Sequence, residues 1–243
     1  MKLLGLDSSG LVASVALLTD GSLTAEYTVH YKKTHSQTLL PMLEEILRMC
    51  EAEPSELDAI AVAAGPGSFT GLRIGSATAK GLAQAWEKPI VPVPTTAALA
   101  VNLFGAAGLI CPMMDARRNQ VYNGIYAFEG DKLVTLCEQR ALGVEELAEE
   151  LNTGAAGKWS AYVKHGVLLL GDGAEAYRPL LKERLHISYQ WAPPHLSHQR
   201  AGAVAVLGEQ LFTEGIRQTA AEHAPIYLRM SQAERERIER TGA

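Results

Sequence analysis

The segment Ala63-Ala64-Gly65-Pro66-Gly67-Ser68-Phe69-Thr70-Gly71-Leu72-Arg73-Ile74-Gly75 constrains the fold more tightly than any other part of the chain. An apolar strand, Ala59 to Ala64, runs into a turn of Gly65, Pro66 and Gly67, and a helix from Phe69 to Trp86 follows. That order of strand, glycine turn and helix belongs to an α/β protein. Ser68 is suited to cap the helix, which leaves the free N–H groups of the first turn directed at whatever lies beyond the loop. Such an end can hold an anion. The two common phosphate loops are not matched: no Lys-Ser or Lys-Thr stands where a P-loop needs one, and the third glycine of a dinucleotide fingerprint arrives one place late, at Gly71. Along the helix, Gly71, Gly75, Ala79 and Ala83 form one row of small residues, and Ala77, Gly81 and Ala85 form a second. An interior helix glycine costs about 1 kcal/mol against alanine. Two of them on one stripe predict the close approach of another helix.

The 243 residues suffice for one large domain or two lobes, and 47% apolar against 20% charged residues provides for a real core. The formal net charge of −5 argues against a stand-alone RNA-binding protein, whose surface must neutralise phosphates. Lys32-Lys33 and Arg117-Arg118 are too small to supply that footprint by themselves. Cys50, Cys111 and Cys137 show no CxxC spacing, which predicts reduced, buried thiols in a cytoplasmic protein. Met1 to Leu6 is interrupted by Asp7, Ser8 and Ser9 with no cleavage site following, so neither a signal peptide nor a membrane span is expected.

Periodicity and turn residues divide the chain into a first lobe, residues 1–104, and a smaller second lobe, residues 105–199. The first opens with strands Leu3–Leu6, Ala13–Leu18 and Leu23–His30, the last two joined by an Asp20-Gly21 turn. A helix from Ser36 to Glu51 follows, and Pro41 requires either a later start or a proline in its first turn. Beyond the glycine block come a strand, Ile90–Val93, and a helix, Thr95–Phe104. The second lobe is expected to hold strands Leu109–Met114, Gln120–Ala127, Lys132–Leu136 and Val167–Leu170. Its helices are Val144–Leu151 and Ala174–Leu185, with a loop at Gly154–Gly157. A helix beginning near Arg200 returns to the first lobe, within residues 200–229, and residues 230–243 form a charged tail. The fold class is α/β, with mixed sheets flanked by helices in two lobes.

Each lobe begins with an apolar strand ending in Asp and a turn, Leu6-Asp7-Ser8-Ser9 and Met114-Asp115-Ala116-Arg117, and Leu170-Gly171-Asp172-Gly173-Ala174 adds a glycine turn. These resemble the two phosphate hairpins and the nucleotide-binding glycine turn of the actin, Hsp70 and sugar-kinase (ASKHA) superfamily. A closer resemblance runs from residue 3 to about residue 229. It is carried by Leu4-Gly5-Leu6-Asp7-Ser8-Ser9, His35-Ser36-Gln37-Thr38-Leu39-Leu40-Pro41, the Gly65–Gly75 block, Ala79-Lys80-Gly81-Leu82-Ala83, Met113-Met114-Asp115-Ala116-Arg117-Arg118 and Ala224-Pro225-Ile226-Tyr227-Leu228-Arg229. On these motifs the chain resembles the TsaB (YeaZ) family, bacterial proteins needed for threonylcarbamoyladenosine in tRNA.

The resemblance implies a two-lobed, ribonuclease-H-like (actin-like) fold and a non-catalytic paralogue of TsaD, the threonylcarbamoyl transferase. It implies TsaD as partner, with TsaE joining the pair, tRNA met only within the complex, and a homodimer in the absence of TsaD. Where TsaD-type proteins carry a His-x-x-x-His metal motif, this chain has Thr95 and Leu99, so no metal site is expected. His195 and His198 are close in sequence, but a polar loop is favoured over a shared metal. Asp7 would hold a magnesium-bound water in an active relative; here it can equally end a strand and cap its turn. The nucleotide positions implied are Asp7, Ser8, Ser9, Asp115, Arg117, Gly171, Asp172 and Gly173, with weak ATP or ADP binding and no required cofactor. Arg117 and Arg118 replace the usual glycine; they can reach a phosphate or tie the lobes together through a carboxylate, the second being favoured. The implied partner surface comprises Leu39, Met42, Leu43, Ile46 and Met49 on one helix and Phe69, Leu72, Gly75, Ala79 and Leu82 on the next, against the plainer expectation that one face of each helix packs on its own sheet. An ATPase or small-molecule kinase of the same superfamily is the alternative class.

Overall fold

The structure is a computed structural model that describes residues 1–31 and 34–229. Lys32-Lys33 and the charged tail assigned to residues 230–243 lie outside the described residues. The elements in chain order are β1 (Lys2–Asp7), β2 (Ala13–Thr19), β3 (Ser22–Val29), α1 (His35–Met49), β4 (Ala59–Gly65), α2 (Phe69–Trp86), β5 (Ile90–Pro94) and α3 (Thr95–Val101). There follow β6 (Leu109–Arg117), β7 (Gln120–Glu129), β8 (Lys132–Gly143), α4 (Val144–Ala156), β9 (Val167–Leu170), α5 (Asp172–Ala176), α6 (Arg178–Arg184), β10 (Tyr189–Trp191) and α7 (Ala201–Thr213).

Two five-stranded sheets have the same topology. The first has the order β3-β2-β1-β4-β5, and the second, β8-β7-β6-β9-β10, repeats it strand for strand. In each, three antiparallel strands form a meander and two further strands join in parallel. Alternation along the strands gives each sheet two buried faces. Leu4, Leu6, Val15 and Leu17 face Leu39, Leu43 and Ile46 of α1 and Ala79 and Ala83 of α2. The other face of the first sheet, with Leu3, Ala61 and Val93, packs on Val204, Ala205 and Leu207 of α7 and on α3. That middle core continues into the second sheet through Ile110, Met114 and Tyr126. The outer face of the second sheet, with Leu109, Met113, Val121 and Ile125, is covered by Leu147 and Leu151 of α4, Leu181 of α6 and the buried Trp159.

Several boundaries differ from the sequence expectations. Helix α1 starts at His35 and carries Pro41 in its interior. The proline removes a bond to the Gln37 carbonyl, but both residues are exposed, so water can satisfy that group while Leu39, Leu43 and Ile46 anchor the helix. The Gly154–Gly157 loop is instead the end of α4, because Gly154 lies against the Trp159 ring and the helix continues to meet it. The expected Ala174–Leu185 helix is split at Tyr177, and β8 extends to Gly143. Strand β10 is only three residues long, too short for its alternation to stand out in the sequence. Only Cys111 of the three thiols is fully buried, and burial pushes it up to about 12.

Candidate functional site

The carboxyl ends of β1, β4 and β6 meet at a cleft between the two sheets, where open α/β sheets commonly place their ligands. The cleft has a volume of about 430 Å³, with Ser9, Gly67, Ser68 and Phe69 on one side and Asp115, Ala116, Arg117 and Asp172 on the other. The topology therefore brings together the two Asp turns and the glycine block. Ser68 caps α2, its Oγ accepting from the Gly71 N–H at 3.3 Å. The Ser68 N–H donates to the Ser9 carbonyl at 2.7 Å, which fastens the glycine block to the first Asp turn.

The two turns then diverge. Asp7 is 1% exposed, and its Oδ1 accepts from the Ser9 N–H at 2.8 Å and from the Ser9 hydroxyl at 2.6 Å. Burial pushes its carboxyl up to about 6 despite those bonds. The neighbouring Ser8 hydroxyl donates to the Gly71 carbonyl at 2.9 Å. Here the expectation about the small-residue stripe is corrected. A Cβ on Gly71 would lie 2.1 Å from the Ser8 carbonyl oxygen, and one on Gly75 would lie 2.4 Å from the Ser8 hydroxyl. The stripe admits the chain's own Asp7 turn, not a second helix. Asp115, in contrast, stands at the cleft wall. Its Oδ1 accepts from the Arg117 N–H at 2.8 Å and the Tyr177 hydroxyl at 3.0 Å, and its Oδ2 pairs with the Arg117 guanidinium at 3.1 Å. Arg117, Arg118 and Asn119 all take the left-handed conformation, with φ of 64°, 57° and 57°.

Gly171 and Gly173 press directly on β6, where Cβ atoms would fall 2.2 and 2.9 Å from the Met113 carbonyl oxygen. Asp172 accepts from the Asp115 N–H at 3.1 Å, and burial raises its carboxyl. The residues implied for nucleotide binding are thus gathered around one cleft, with Asp7 bonded to Ser9 and the glycine turn packed against β6. Thr95 and Leu99 are buried, with Thr95 Oγ1 accepting from the Gly65 N–H at 3.1 Å. The loop of His195 and His198 is held by Asn102, which donates to the Leu196 and His198 carbonyls at 3.1 and 2.8 Å. Among the described residues no group of three or more His, Cys, Asp or Glu side chains is arranged to hold a metal.

Arg117 pairs with its own turn, so it does not join the lobes as favoured from the sequence. That connection is made by Arg229, whose Nη1 donates to the Ala116 carbonyl at 2.6 Å. It ends a strap whose role sequence reasoning missed, although the Ala224–Arg229 motif marks its position. The strap begins where Gln218 pairs with Ile90 of β5. It crosses α2 through His223, which lies between Ser76 Oγ and Gln218 Oε1 at 3.0 Å each, and reaches β4 where the Ile226 N–H donates to the Ala64 carbonyl at 2.7 Å. Burial, with Lys80 nearby, lowers the His223 ring below its ordinary range.

The helices beside the cleft also require correction. Leu39, Leu43, Ile46, Leu72, Gly75 and Ala79 are buried in the chain's own core and present no surface to a partner. Met42, Phe69 and Leu82 are half-buried, and Met49 is 61% exposed. The outward row is the second one, Ala77, Gly81 and Ala85, all exposed, and nothing lies within 4 Å of the Cβ position at Gly81.

Two sheets of one topology, facing across a cleft at their first strands, define a two-lobed, actin-like protein of the ribonuclease-H-like class. The sequence model of the TsaD family, tRNA N6-adenosine threonylcarbamoyltransferase, matches residues 23–237. The tRNA threonylcarbamoyladenosine biosynthesis protein TsaB of Bacillus subtilis is 32% identical over 98% of this chain and 99% of its own length. Its Escherichia coli counterpart is 31% identical over 96% of each. The solved structure of YeaZ from Pseudomonas aeruginosa superposes with a TM-score of 0.77 at 29% identity, covering 93% of this chain and 99% of that one. The chain belongs to the TsaB family of tRNA threonylcarbamoyladenosine biosynthesis proteins, within the wider TsaD family.

Proposed function

We propose that the chain is a non-catalytic scaffold and activator that pairs with TsaD and supports its threonylcarbamoyl transfer to the adenosine beside the tRNA anticodon. TsaE joins that pair, tRNA is met within the complex, and the chain works in the cytoplasm. No helix among the described residues is long and apolar enough to cross a membrane, which is compatible with that location. No cofactor is required, and ATP or ADP binding is weak, in keeping with an Asp7 that is buried and bonded to Ser9.

The observation that carries the pairing is Gly81. An exposed interior glycine costs its helix about 1 kcal/mol, and nothing inside the chain crowds it. A close backbone approach from outside accounts for it, with Ala77 and Ala85 in the same row. Leu82, and Leu40, Met42 and Met49 on α1, supply the apolar surroundings. In the absence of TsaD the same face accommodates a second copy. Gly81→Leu should keep or raise its melting temperature and lose at least tenfold in TsaD affinity by titration; retained affinity refutes this docking face. Reconstitution with TsaD, TsaE, tRNA and the threonylcarbamoyl adenylate, omitting each protein in turn, tests the role itself. Transfer that is unaffected by omitting this chain, or ATP hydrolysis at an enzyme's pace by the chain alone, would overturn it.

A further inference from the structure

The mouth of the cleft concentrates positive charge in a chain whose net charge is −5. On the first-lobe side, the Arg73 guanidinium lies 3.9 Å from the centroid of Phe69 and its Nε donates to the Tyr227 hydroxyl at 3.3 Å. Tyr227 packs on Phe69 with ring centroids 4.7 Å apart and remains 40% exposed. Arg229 follows two residues later and bonds to Ala116, beyond which Arg117 and Arg118 form the exposed hairpin tip of the second lobe. Arg117 and Phe69 line the opening, Arg73 and Tyr227 are tied to Phe69, Arg229 is bonded to Ala116, and Arg118 adjoins Arg117. The carboxylates lining the opening are Asp115, paired with Arg117, and the largely buried Asp172. Arg118 has no ion-pair partner among the described residues, and Arg117 is 83% exposed despite its pair.

We propose that this rim is an RNA-contact site, in which Arg73, Arg117, Arg118 and Arg229 meet backbone phosphates and Tyr227 stacks on an unpaired base. The proposal rests on the tRNA-modification role and assigns this chain its own share of the tRNA surface. Guanidinium groups beside exposed aromatic faces match single-stranded RNA, which offers phosphates and splayed bases together. An acidic protein segment would use the charges and leave the ring unused. The patch is too small for tight binding by the isolated chain, so its contribution is expected on top of TsaD.

The test uses fluorescently labelled tRNA and the complex of the full chain with TsaD, titrated across a range of salt. Arg118→Gln removes a charge that pairs with nothing among the described residues, so folding should be unaffected. It should weaken binding about 3- to 10-fold and flatten the log–log salt dependence by about one phosphate contact. Adding Arg73→Gln should deepen both effects. Tyr227→Leu should weaken binding about 5-fold or more with the salt slope unchanged, because stacking releases no counterions. Unchanged affinity and slope in the double arginine variant would overturn the proposal. So would weakened TsaD or TsaE association with tRNA affinity intact, which would mark the rim as a protein-docking face. Failure of the wild-type chain to support threonylcarbamoyladenosine formation would instead strike the functional reading, independently of the tRNA titration.

Discussion

The two lobes carry the same strand order and an Asp at or near the end of the first strand, yet the turns that follow are used in different ways. In the first lobe the turn is sealed. Gly71 and Gly75 let α2 come down onto Ser8, and Asp7 Oδ1 accepts from both the N–H and the hydroxyl of Ser9. In the second lobe the turn is open, and its tip carries two arginines into solvent beside the cleft. Retaining a topology does not retain the chemistry of its turns. A phosphate hairpin needs backbone N–H groups facing the cleft. In the first lobe Asp7 and Ser8 are committed to packing while Ser9, Gly10 and Leu11 still line the cleft, and in the second Arg117 brings side-chain charge to it. Sealing the first turn also joins the cleft wall to the outer helix α2, so a partner held on α2 bears directly on the cleft.

The largest effect should come from reopening the sealed turn. Gly71→Val must displace the Ser8 backbone, since its Cβ alone would sit 2.1 Å from a carbonyl oxygen. A loss of about 3 kcal/mol or more is expected, at the upper end of overpacking costs, read as a fall in the urea midpoint. Gly81→Ala, one row over on the same helix, meets open space. It should gain up to about 1 kcal/mol from helix propensity. Equal effects from the two substitutions would remove the distinction between an inward and an outward small-residue row.

Asp7→Asn comes next, and its sign is diagnostic. The native carboxyl is raised from 3.8 to about 6, so the folded state holds a proton that the unfolded state releases in that interval. Stability therefore falls as pH rises from about 4 to about 6, and the charged form costs up to roughly 3 kcal/mol above it. Asparagine keeps the acceptor for Ser9 without the charge. Because its amide pays its own burial cost, a net gain of about 1–2 kcal/mol is expected at pH 7, vanishing at pH 4. Denaturant titrations at both pH values decide this. A destabilised variant at pH 7 would mean that the ionised carboxylate is needed in the first lobe after all.

Sequence patterns exposed most of this architecture because its elements are strongly periodic. The bounds of α2 follow from Ser68 as cap and from apolar spacing, and the doubled Asp-ended strand signals the repeated sheet. The direction of the glycine stripe was not legible. Spacing shows that a backbone must approach Gly71 and Gly75, but whether it belongs to Ser8 or to a partner depends on contacts far apart in the chain. For the same reason the resemblance puts Leu39, Leu43, Ile46, Leu72, Gly75 and Ala79 on a surface that their own core occupies, while spacing alone does not single out the exposed row with Gly81. The strap was visible as a motif but carries no periodicity. Its bonds to Ala64, Ser76 and Ala116 arise only after the sheets assemble.

The smallest effect should belong to the open turn, and it completes the comparison. Asp115→Asn retains the oxygen that accepts from Arg117 N–H and Tyr177 and removes only the ion pair at 3.1 Å. With the Arg117 side chain 83% exposed, that pair is worth about 0.5 kcal/mol or less. The substitution should therefore destabilise slightly at pH 7, the opposite sign from Asp7→Asn, and the loss should shrink at high salt because an exposed pair is screened. A loss of several kcal/mol, insensitive to salt, would show that the second turn is as tightly built into its lobe as the first. The arginine tip would then be a structural clamp rather than a solvent-facing rim.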